Sequence, residues 1–380
     1  MKKPLTLPIL LLMVLMSAVI AQSQDLDAVF NRGLEQFNSK QYEAAIASFR
    51  QALALNPNET AAYYNIGLCY NRMERFNEAI TAFKEAVRLN PQYEKAYIQL
   101  GNNLDDAKRY NEAIAAYMRA VEINPNNAST FRELGIAHER QKNYTAAAEA
   151  YEKAVALDAN NAEYRYLLGG IYLDLKRDED AMRSYEKSVA LGYSKGFAQY
   201  ELGLLYSKRD RTDEAIKMFL EAIRLKSDYS SAYKELGDEY NKKEMFPEAI
   251  RSFNDAIRID SGYADAYLGL GNAYYNDDKY SESIQPYKKA VELSPKWITA
   301  RNYLADAYLY SGQYGLAEEM FRSAIAIDAK NAESVYGYGL ACIQLKKFEL
   351  ARQQKIKLEA LDMSLASKLA EKITAAEIKP

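Results

Sequence analysis

The sequence predicts an all-α solenoid in which one helix-turn-helix unit is repeated about ten times. The first observation is a small residue that recurs every 34 residues with no insertion or deletion. It is found at Gly33, Gly67, Gly101, Gly135, Gly169, Gly203, Gly237, Gly271, Ala305 and Gly339. A second small residue follows twelve positions after each of these, from Ala45 to Ala351. A period of this length, kept along the chain, indicates an array of one supersecondary unit.

Unit two shows how the repeat is built. Ile66 and Tyr70 belong to a first run of apolar residues at helical spacing, and Phe76 begins a second run. Asn90-Pro91 ends the second helix, because proline disfavours helical geometry in the residue before it. Glycine inside a helix costs about 1 kcal/mol relative to alanine. We therefore expect the two helices to approach closely at Gly67, with the small residue twelve positions later as the opposing half of the contact.

The repeat resembles the tetratricopeptide repeat (TPR) family. In unit two, the residues that carry the resemblance are Tyr63, Ile66, Gly67, Tyr70, Ala79, Phe83, Ala86 and Pro91. The resemblance covers about residues 26–363. It implies a right-handed superhelical solenoid in which the first helix of each unit (A) lines a concave groove and the second (B) forms the convex back. The residues that define the repeat are structural, so they do not identify a partner.

The first 21 residues predict a secretory signal peptide. Lys2 and Lys3 precede an apolar run from Leu5 to Ile20, and Ala21 offers a cleavage point. An uncleaved membrane anchor is the alternative, but the run is shorter than the roughly 20 residues needed to span a bilayer. We predict an exported chain without stable membrane insertion after cleavage, in the bacterial periplasm or secreted. The predicted organisation is a linker at 22–25, ten repeats at 26–363, and a capping helix and tail at 364–380.

Composition argues against several function classes. Without Lys2 and Lys3, 47 of the 49 basic residues remain against 52 acidic ones, with no basic stripe for nucleic acid. Cys69 and Cys342 lie eight units apart, and repeats that touch only their neighbours cannot join them in a disulfide. Both are predicted to be buried hydrophobic residues. His138, the single histidine, occupies a position that is tyrosine in other units and is predicted to serve packing.

These residues also predict that the chain is not an enzyme. One histidine and two distant cysteines cannot supply a metal site of nitrogen and sulfur ligands. Nor can they supply a nucleophile paired with an oriented base. We expect no cofactor and no metal, so function should lie in the side chains that the groove displays.

The resemblance implies that ligand-facing side chains come from the second, fifth, sixth, ninth, twelfth and thirteenth positions of each A helix. The predicted partner-binding residues are Phe30, Asn31, Tyr64, Asn65, Lys95, Gln99, Asn102, Arg132, Tyr166, Phe197, Tyr200, Lys234, Tyr275, Tyr303 and Tyr336. Aromatic side chains would supply anchors, and amides would hydrogen-bond the backbone of an extended or helical segment of an envelope protein. Lys95 and Arg132 would favour acidic partners.

Three alternatives remain open at this point. The same aromatic groove could stack sugars, as in a polysaccharide-export or cell-wall component. The convex face could mediate self-assembly. The aromatic residues of the groove could also bind no ligand. A carboxylate clamp of the kind known in one subfamily is not predicted, because only Asn65 and Lys95 match its pattern.

Departures from the repeat pattern predict a flexible joint between two units and the end of the array. Unit five has Arg165 in place of an aromatic residue and closes with Leu191-Gly192-Tyr193, so the most flexible joint is expected at 188–197. Pro286 falls inside a B helix, where it should cause a kink, whereas Pro247 falls at a helix start, where proline is favoured.

The last unit has Lys355 where other units have an aromatic residue. An apolar stripe of Leu365, Leu369 and Ile373 then predicts a capping helix.

Overall fold

The computed structural model describes residues 25–193 and 195–378, and every helix or strand assigned within them is an α-helix. The helices follow one another in pairs, which confirms the prediction of an all-α repeat solenoid. The predicted signal peptide and its cleavage point lie outside the described residues. None of the described helices is long and apolar enough to cross a membrane.

Each repeat contributes one A helix and one B helix. The A helices are α1 (25–38), α3 (Thr60–Arg72), α5 (Glu94–Asp106), α7 (Ala128–Arg140), α9 (Ala162–Asp174), α11 (Phe197–Ser207), α13 (Ser230–Lys242), α15 (Ala264–Asn276), α17 (Ile298–Tyr310) and α19 (Ala332–Gln344). The B helices are α2 (Tyr42–Leu55), α4 (Phe76–Leu89), α6 (Tyr110–Ile123), α8 (Tyr144–Leu157), α10 (Asp178–Ala190), α12 (Thr212–Leu225), α14 (Phe246–Ile259), α16 (Tyr280–Leu293), α18 (Tyr314–Ile327) and α20 (Phe348–Leu361). A final helix, α21 (Met363–Ile378), follows α20.

The chain divides into two compact units, one ending at Gly192 and the other beginning at Tyr193. The first unit contains α1 to α10 and the second contains α11 to α21. Within each unit, the A helices from α3 onward pack against the B helix of their own repeat, and each B helix packs against the next A helix. Helix α1 contacts α2 through the rings of Phe30 and Phe49. The division falls inside the segment 188–197, where Gly192 and Gly196 both have positive φ. The flexibility of this segment stays a prediction.

The recurring glycine lies against an aromatic ring of the B helix in the same repeat. A Cβ atom on Gly67 would lie 2.6 Å from Cε1 of Phe83, and one on Gly101 would lie 2.5 Å from Cε1 of Tyr117. Both rings are fully buried. The contact of the glycine with the small residue twelve positions later stays a prediction. Glycine is used because the flat face of a ring sixteen residues later takes the space of a side chain.

A left-handed residue closes each A helix and sets the direction of the B helix. Lys40, Glu74 and Lys108 occupy this position with φ of 60°, 57° and 59°, and Gly312 occupies it with φ of 80°. The next residue donates its backbone N–H to a carbonyl five residues earlier, as Arg75 does to Tyr70 over 2.9 Å. This arrangement satisfies carbonyl groups that the helix end would otherwise leave unpaired.

Both B-helix prolines lie within helical segments. Pro247 is in the first turn of α14, as predicted. Pro286 lies inside α16, which continues through it from Tyr280 to Leu293. Proline therefore does not end this helix, and the predicted kink stays a prediction.

Helix α21 covers the end of the last repeat. It packs against α20 and α19, and Leu369 and Ile373 are buried while Lys368 is exposed. A Cβ on Gly339 would lie 2.5 Å from Cδ2 of Leu369. Leu369 thus fills the space that an aromatic ring fills in the preceding repeats, where this repeat has Lys355.

Candidate functional site

The predicted partner-binding residues lie on one side of the A helices. Positions two, five, six, nine, twelve and thirteen share a helical face because they recur at steps of three and four. In places the A helices of successive repeats also meet directly, as α13 and α15 do. We call the surface formed by these positions the A-helix face, and each compact unit has its own.

In the first unit, the aromatic residues of the A-helix face rest on rings of the B helices and, for Tyr64, also on a ring in the turn before α5. The ring centroids of Phe30 and Phe49 are 5.3 Å apart. Tyr64 lies 5.7 Å from Phe83 and 5.0 Å from Tyr93. These contacts leave the side chains of Phe30 and Tyr64 half-buried and hold their rings in place. Tyr166 makes the same type of contact with Tyr185, at 5.8 Å.

The amides of the first unit differ in their remaining hydrogen-bonding capacity. Asn65 donates from Nδ2 to the backbone carbonyl of Ala61 over 2.8 Å, and Asn102 accepts a 2.8 Å bond from the Tyr117 hydroxyl. The side chains of Asn31 and Gln99 make no hydrogen bond to other described residues. Asn31 and Gln99 are therefore better placed to pair with a partner's backbone than Asn65 and Asn102.

Arg132 is already neutralised by acidic neighbours. Its Nη1 lies 2.5 Å from Glu133 and its Nη2 lies 3.8 Å from Glu163. Burial raises the pKa of Glu133, although Arg132 partly offsets this effect. Lys95, in contrast, is exposed and has no ion pair within the described ranges. The predicted attraction of this face for acidic partners therefore depends on Lys95 more than on Arg132.

In the second unit, the start of the A-helix face carries a group of three aromatic residues. Tyr200 lies 4.8 Å from Tyr229, and Phe197 lies 5.8 Å from the same ring. The Lys226 ammonium lies 4.8 Å from the Tyr229 ring centroid. Tyr229 could not be predicted from the six ligand-facing positions of the A helices, because it lies in the turn before α13 and not on an A helix.

Lys234 is also neutralised within its own helix. Its ammonium lies 3.1 Å from Glu235 and 2.9 Å from Asp238. Burial lowers the pKa of Lys234, but the two carboxylates outweigh this effect and raise the pKa above its usual range. Lys234 therefore offers little free positive charge to a partner.

Five tyrosines, three from the A helices α15 and α17 and two from the B helix α16, form a group in the second unit. We call this group the tyrosine cluster, and its members are Tyr275, Tyr280, Tyr287, Tyr303 and Tyr310. Tyr280 and Tyr310 stack with centroids 5.3 Å apart, and each also contacts Tyr275. Tyr303 lies 5.8 Å from the buried ring of Tyr287. Tyr303 is 38% exposed and Tyr310 is 57% exposed, so a ligand can reach both rings. Tyr336, also predicted, is half-buried on α19.

Asp306 lies on α17 between Tyr303 and Tyr310. Burial raises its pKa to about 7, and the negative charge of Glu333 adds to the shift. The charge of Asp306 in turn helps to raise the pKa values of Tyr275 and Tyr287, after the larger effect of burial. Its carboxyl group has no hydrogen bond or ion pair with the residues that the structure describes. Asp306 was not among the predicted residues, although it occupies the ninth position of its A helix.

We expect Asp306→Asn to stabilise the protein at pH 8 by about 1–2 kcal/mol. The folded state raises this pKa from its ordinary value near 4, so ionisation of Asp306 costs stability. The cost begins above the ordinary pKa and is complete above about pH 7. The full shift corresponds to about 4 kcal/mol, and water that reaches the carboxyl group reduces it. Thermal unfolding at pH 8 and pH 5 should show a clearly smaller gain at pH 5. The exposed Glu319→Gln, on α18 of the same repeat, is the control, and an equal gain for Asp306→Asn at both pH values would refute this account.

The two cysteines and the single histidine are buried or lie away from the A-helix face. Cys69 and Cys342 are free and buried, as predicted. Burial raises the pKa of Cys69 to about 12 and that of Cys342 to about 11, which keeps both as thiols. His138 is half-buried beside a cleft of about 560 Å³ that Phe131 and Leu134 also line, and burial lowers its pKa. No group of three or more candidate metal ligands occurs in the described part of the chain.

Comparison with known families returns repeat families along the chain. The family described as Cilia and flagella-associated protein 70 C-terminal domain matches residues 59–266, more than half of the chain. Families described as TPR repeat and tetratricopeptide repeat match residues 33–74, 264–296 and 304–362. No curated protein matches the sequence.

Several solved structures are similar to this one. The C-terminal part of a TPR repeat-containing protein from Cytophaga hutchinsonii is 20% identical, with 61% of this chain and 95% of that chain covered and a TM-score of 0.53. MamA is 30% identical, with 44% and 92% covered and a TM-score of 0.42. YrrB, described as a TPR protein with an unusual peptide-binding site, is 24% identical, with 49% and 95% covered and a TM-score of 0.44. The likeness to the Cytophaga protein is one of fold.

Proposed function

The chain belongs to the tetratricopeptide repeat family, and on that premise we propose that it is a non-catalytic scaffold that binds a segment of another protein on its A-helix face. The observation that carries the proposal is the set of half-buried aromatic side chains along this face. Tyr64 rests on Phe83 and Tyr93, and Tyr200 rests on Phe219 and Tyr229. Each ring thus has one side fixed by the protein and another available to a partner.

Fixed tyrosines are suited to binding for an energetic reason. A tyrosine offers a large apolar surface and a hydroxyl group at a modest cost in side-chain entropy. Neighbouring rings restrict the side chain before binding, so this cost falls further. Truncation of such an anchor typically costs about 2 kcal/mol or more. The free amides of Asn31 and Gln99 add polar groups that can pair with the backbone of an extended or helical segment.

We also propose that the scaffold is exported and that its partner is an envelope protein. This part of the proposal is supported by Lys2, Lys3 and the apolar run from Leu5 to Ile20, which match a secretory signal peptide. The bacterial periplasm is the proposed location.

Glycan binding is the rival that a specific observation favours. Tyr310 is 57% exposed and stacks on Tyr280, which gives a flat aromatic surface on which a sugar could lie. A glycan array with wild type and Tyr310→Ala separates the two functions. Saccharide binding that depends on Tyr310 favours the rival.

The scaffold proposal predicts that loss of two face anchors removes the partner. We would immobilise the chain and its Tyr64→Ala, Tyr200→Ala variant, capture proteins from envelope extract, and measure the affinity of the partner that is identified. We expect at least about 30-fold weaker binding to the variant, as the loss of one 2 kcal/mol anchor already implies. Thermal unfolding checks that the variant is folded.

The matched control is Met118→Ala, Leu220→Ala, which truncates one exposed B-helix residue in each compact unit. These side chains are 48% and 46% exposed. The control should bind the partner as wild type does. If the control loses the partner and the tyrosine variant keeps it, binding occurs on the B-helix side and the proposal is wrong. Concentration-dependent sedimentation of wild type tests self-assembly through that side.

A further inference from the structure

We propose that Asp306 and the tyrosine cluster bind a cationic side chain, lysine or arginine, of the partner segment. This inference rests on the proposed function, because it names the chemistry of the segment that the A-helix face of the second unit accepts. It also differs from the sequence-based expectation, which favoured acidic partners on account of Lys95 and Arg132.

The carboxylate of Asp306 lacks a counter-charge among the described residues. Three acidic side chains of the A-helix face are paired within the protein in a way that Asp306 is not. Glu133 is paired with Arg132, and both Glu235 and Asp238 are paired with Lys234. Asp306 has no ion pair in the described part of the chain. Its charged neighbour is Glu333 on α19, which is also negative. The site therefore has unbalanced negative charge that a cation from outside can neutralise.

Aromatic rings lie close to Asp306. Tyr303, Asp306 and Tyr310 lie on one side of α17, because they are spaced by three and four residues. Tyr275 on α15 approaches Tyr310, with ring centroids 5.9 Å apart. Ring faces attract cations, and the attraction is stronger where water is partly excluded. A lysine or arginine side chain can thus place its apolar stem on the exposed rings and its charge beside Asp306.

The protonation of Asp306 is coupled to the binding of a cation. Burial makes the ionised form of Asp306 costly in the free protein, and its pKa is accordingly raised to about 7. A cation beside the carboxyl group favours the ionised form, so binding of a cation and loss of the proton are coupled. Binding should therefore be strongest above pH 7 and should weaken as the pH falls and Asp306 becomes protonated.

The groups that face Asp306 are consistent with this pH dependence. Glu333 from α19 is the charged group, and the hydroxyls of Tyr275 from α15 and Tyr287 from α16 are the other titratable groups. Tyr303 and Tyr310 belong to α17 itself. Helix α18 packs against α17 but brings no charged side chain close enough to alter the pKa of Asp306.

The test compares a cation with a neutral molecule of the same shape. We would titrate the full chain with Nα-acetyl-lysine methylamide and, separately, with Nα-acetyl-norleucine methylamide, and follow binding by saturation-transfer NMR. At pH 8 we expect the lysine compound to bind at least about fivefold more tightly than the norleucine compound. This preference should shrink at pH 6. Asp306→Asn should remove it, and Glu319→Gln should leave it unchanged.

A second variant tests the aromatic part of the site. Tyr303→Ala should weaken binding of the lysine compound, and Tyr303→Phe should largely preserve it, because the ring and not the hydroxyl faces the cation. Equal binding of the two compounds to wild type, or an undiminished lysine preference in Asp306→Asn, would overturn the inference.

The outcomes separate this inference from the proposed function. Suppose that a protein partner is captured through Tyr64 and Tyr200 but the two small compounds bind equally. This result would refute the cation site and support the proposed scaffold function. A lysine preference that depends on Asp306, without any captured protein, would support the cation site and count against the scaffold.

Discussion

Replacing Gly337 by alanine is expected to destabilise the last repeats by about 2–3 kcal/mol, although alanine is the better helix former. A Cβ atom at this position would lie 2.3 Å from Cε1 and Cζ of Phe321, whose ring is fully buried. By its place in the repeat, Ala305 faces the same ring from α17, where nine other units have glycine. The ring therefore has a methyl group on one side and cannot retreat from a second methyl group on the other.

Gly269→Ala is the matched control. Its Cβ would lie 2.3 Å from Cε1 of Phe253, the same distance as at Gly337. The residue that faces Phe253 from the preceding A helix is Gly237, so this ring has room to shift. We expect Gly269→Ala to cost at most about 1 kcal/mol, because the gain in helix propensity offsets part of the crowding.

Thermal unfolding and hydrogen exchange of α17 to α19 would measure the difference between the two variants. Ala305→Gly should recover most of the stability that Gly337→Ala loses, since it gives the ring of Phe321 its missing space. Equal losses for Gly337→Ala and Gly269→Ala, or no recovery in the double variant, would show that the opposite side of the ring does not control the cost.

Replacing Leu369 by alanine should cost about 3 kcal/mol and release the end of the array. Leu369 is fully buried and covers Gly339, the place that an aromatic ring of the B helix covers in the first eight repeats. Truncating a buried leucine removes apolar contacts and leaves a cavity, and such changes typically cost about 2–5 kcal/mol. The tenth repeat has Lys355 in place of the ring, so its own B helix does not fill the space.

Hydrogen exchange read helix by helix would locate this effect. We expect faster exchange in α19, α20 and α21, with α11 to α13 unchanged, because repeats interact mainly with their neighbours. Ile378→Ala truncates a residue of the same helix that is 76% exposed, and it should change little. A uniform loss of protection across the second unit would contradict a local capping role for Leu369.

The sequence predicts the repeat well but not what the recurring glycine touches. The 34-residue period defines ten helix pairs, because each unit repeats the same pattern of small and apolar residues. The period alone does not show that an aromatic ring sixteen residues later covers the glycine. The structure shows that Gly101 faces the ring of Tyr117, because the direction of the aromatic side chain decides the contact.

The position of the A-helix face is predictable from the sequence, but its charge is not. The family pattern locates Arg132 and Lys234 on the face, but their neutralisation depends on Glu133, Glu235 and Asp238, whose side-chain directions are not visible in the sequence. The environment of Asp306 comes from α15, α16 and α19, which lie up to about 30 residues away along the chain. The spacing of residues in the sequence does not show that separate helices bury Asp306.

The pairing of each glycine with a ring sixteen residues later also bears on how fast the chain can fold. A contact of this kind closes a short loop, and the entropic cost of closing a loop rises with its length. The substantial helix contacts in each unit likewise join helices that are first or second neighbours along the chain. Chains dominated by such local contacts have low contact order and fold quickly for their size. The time needed for folding should therefore be set by a single repeat and not by the 380-residue length of the chain.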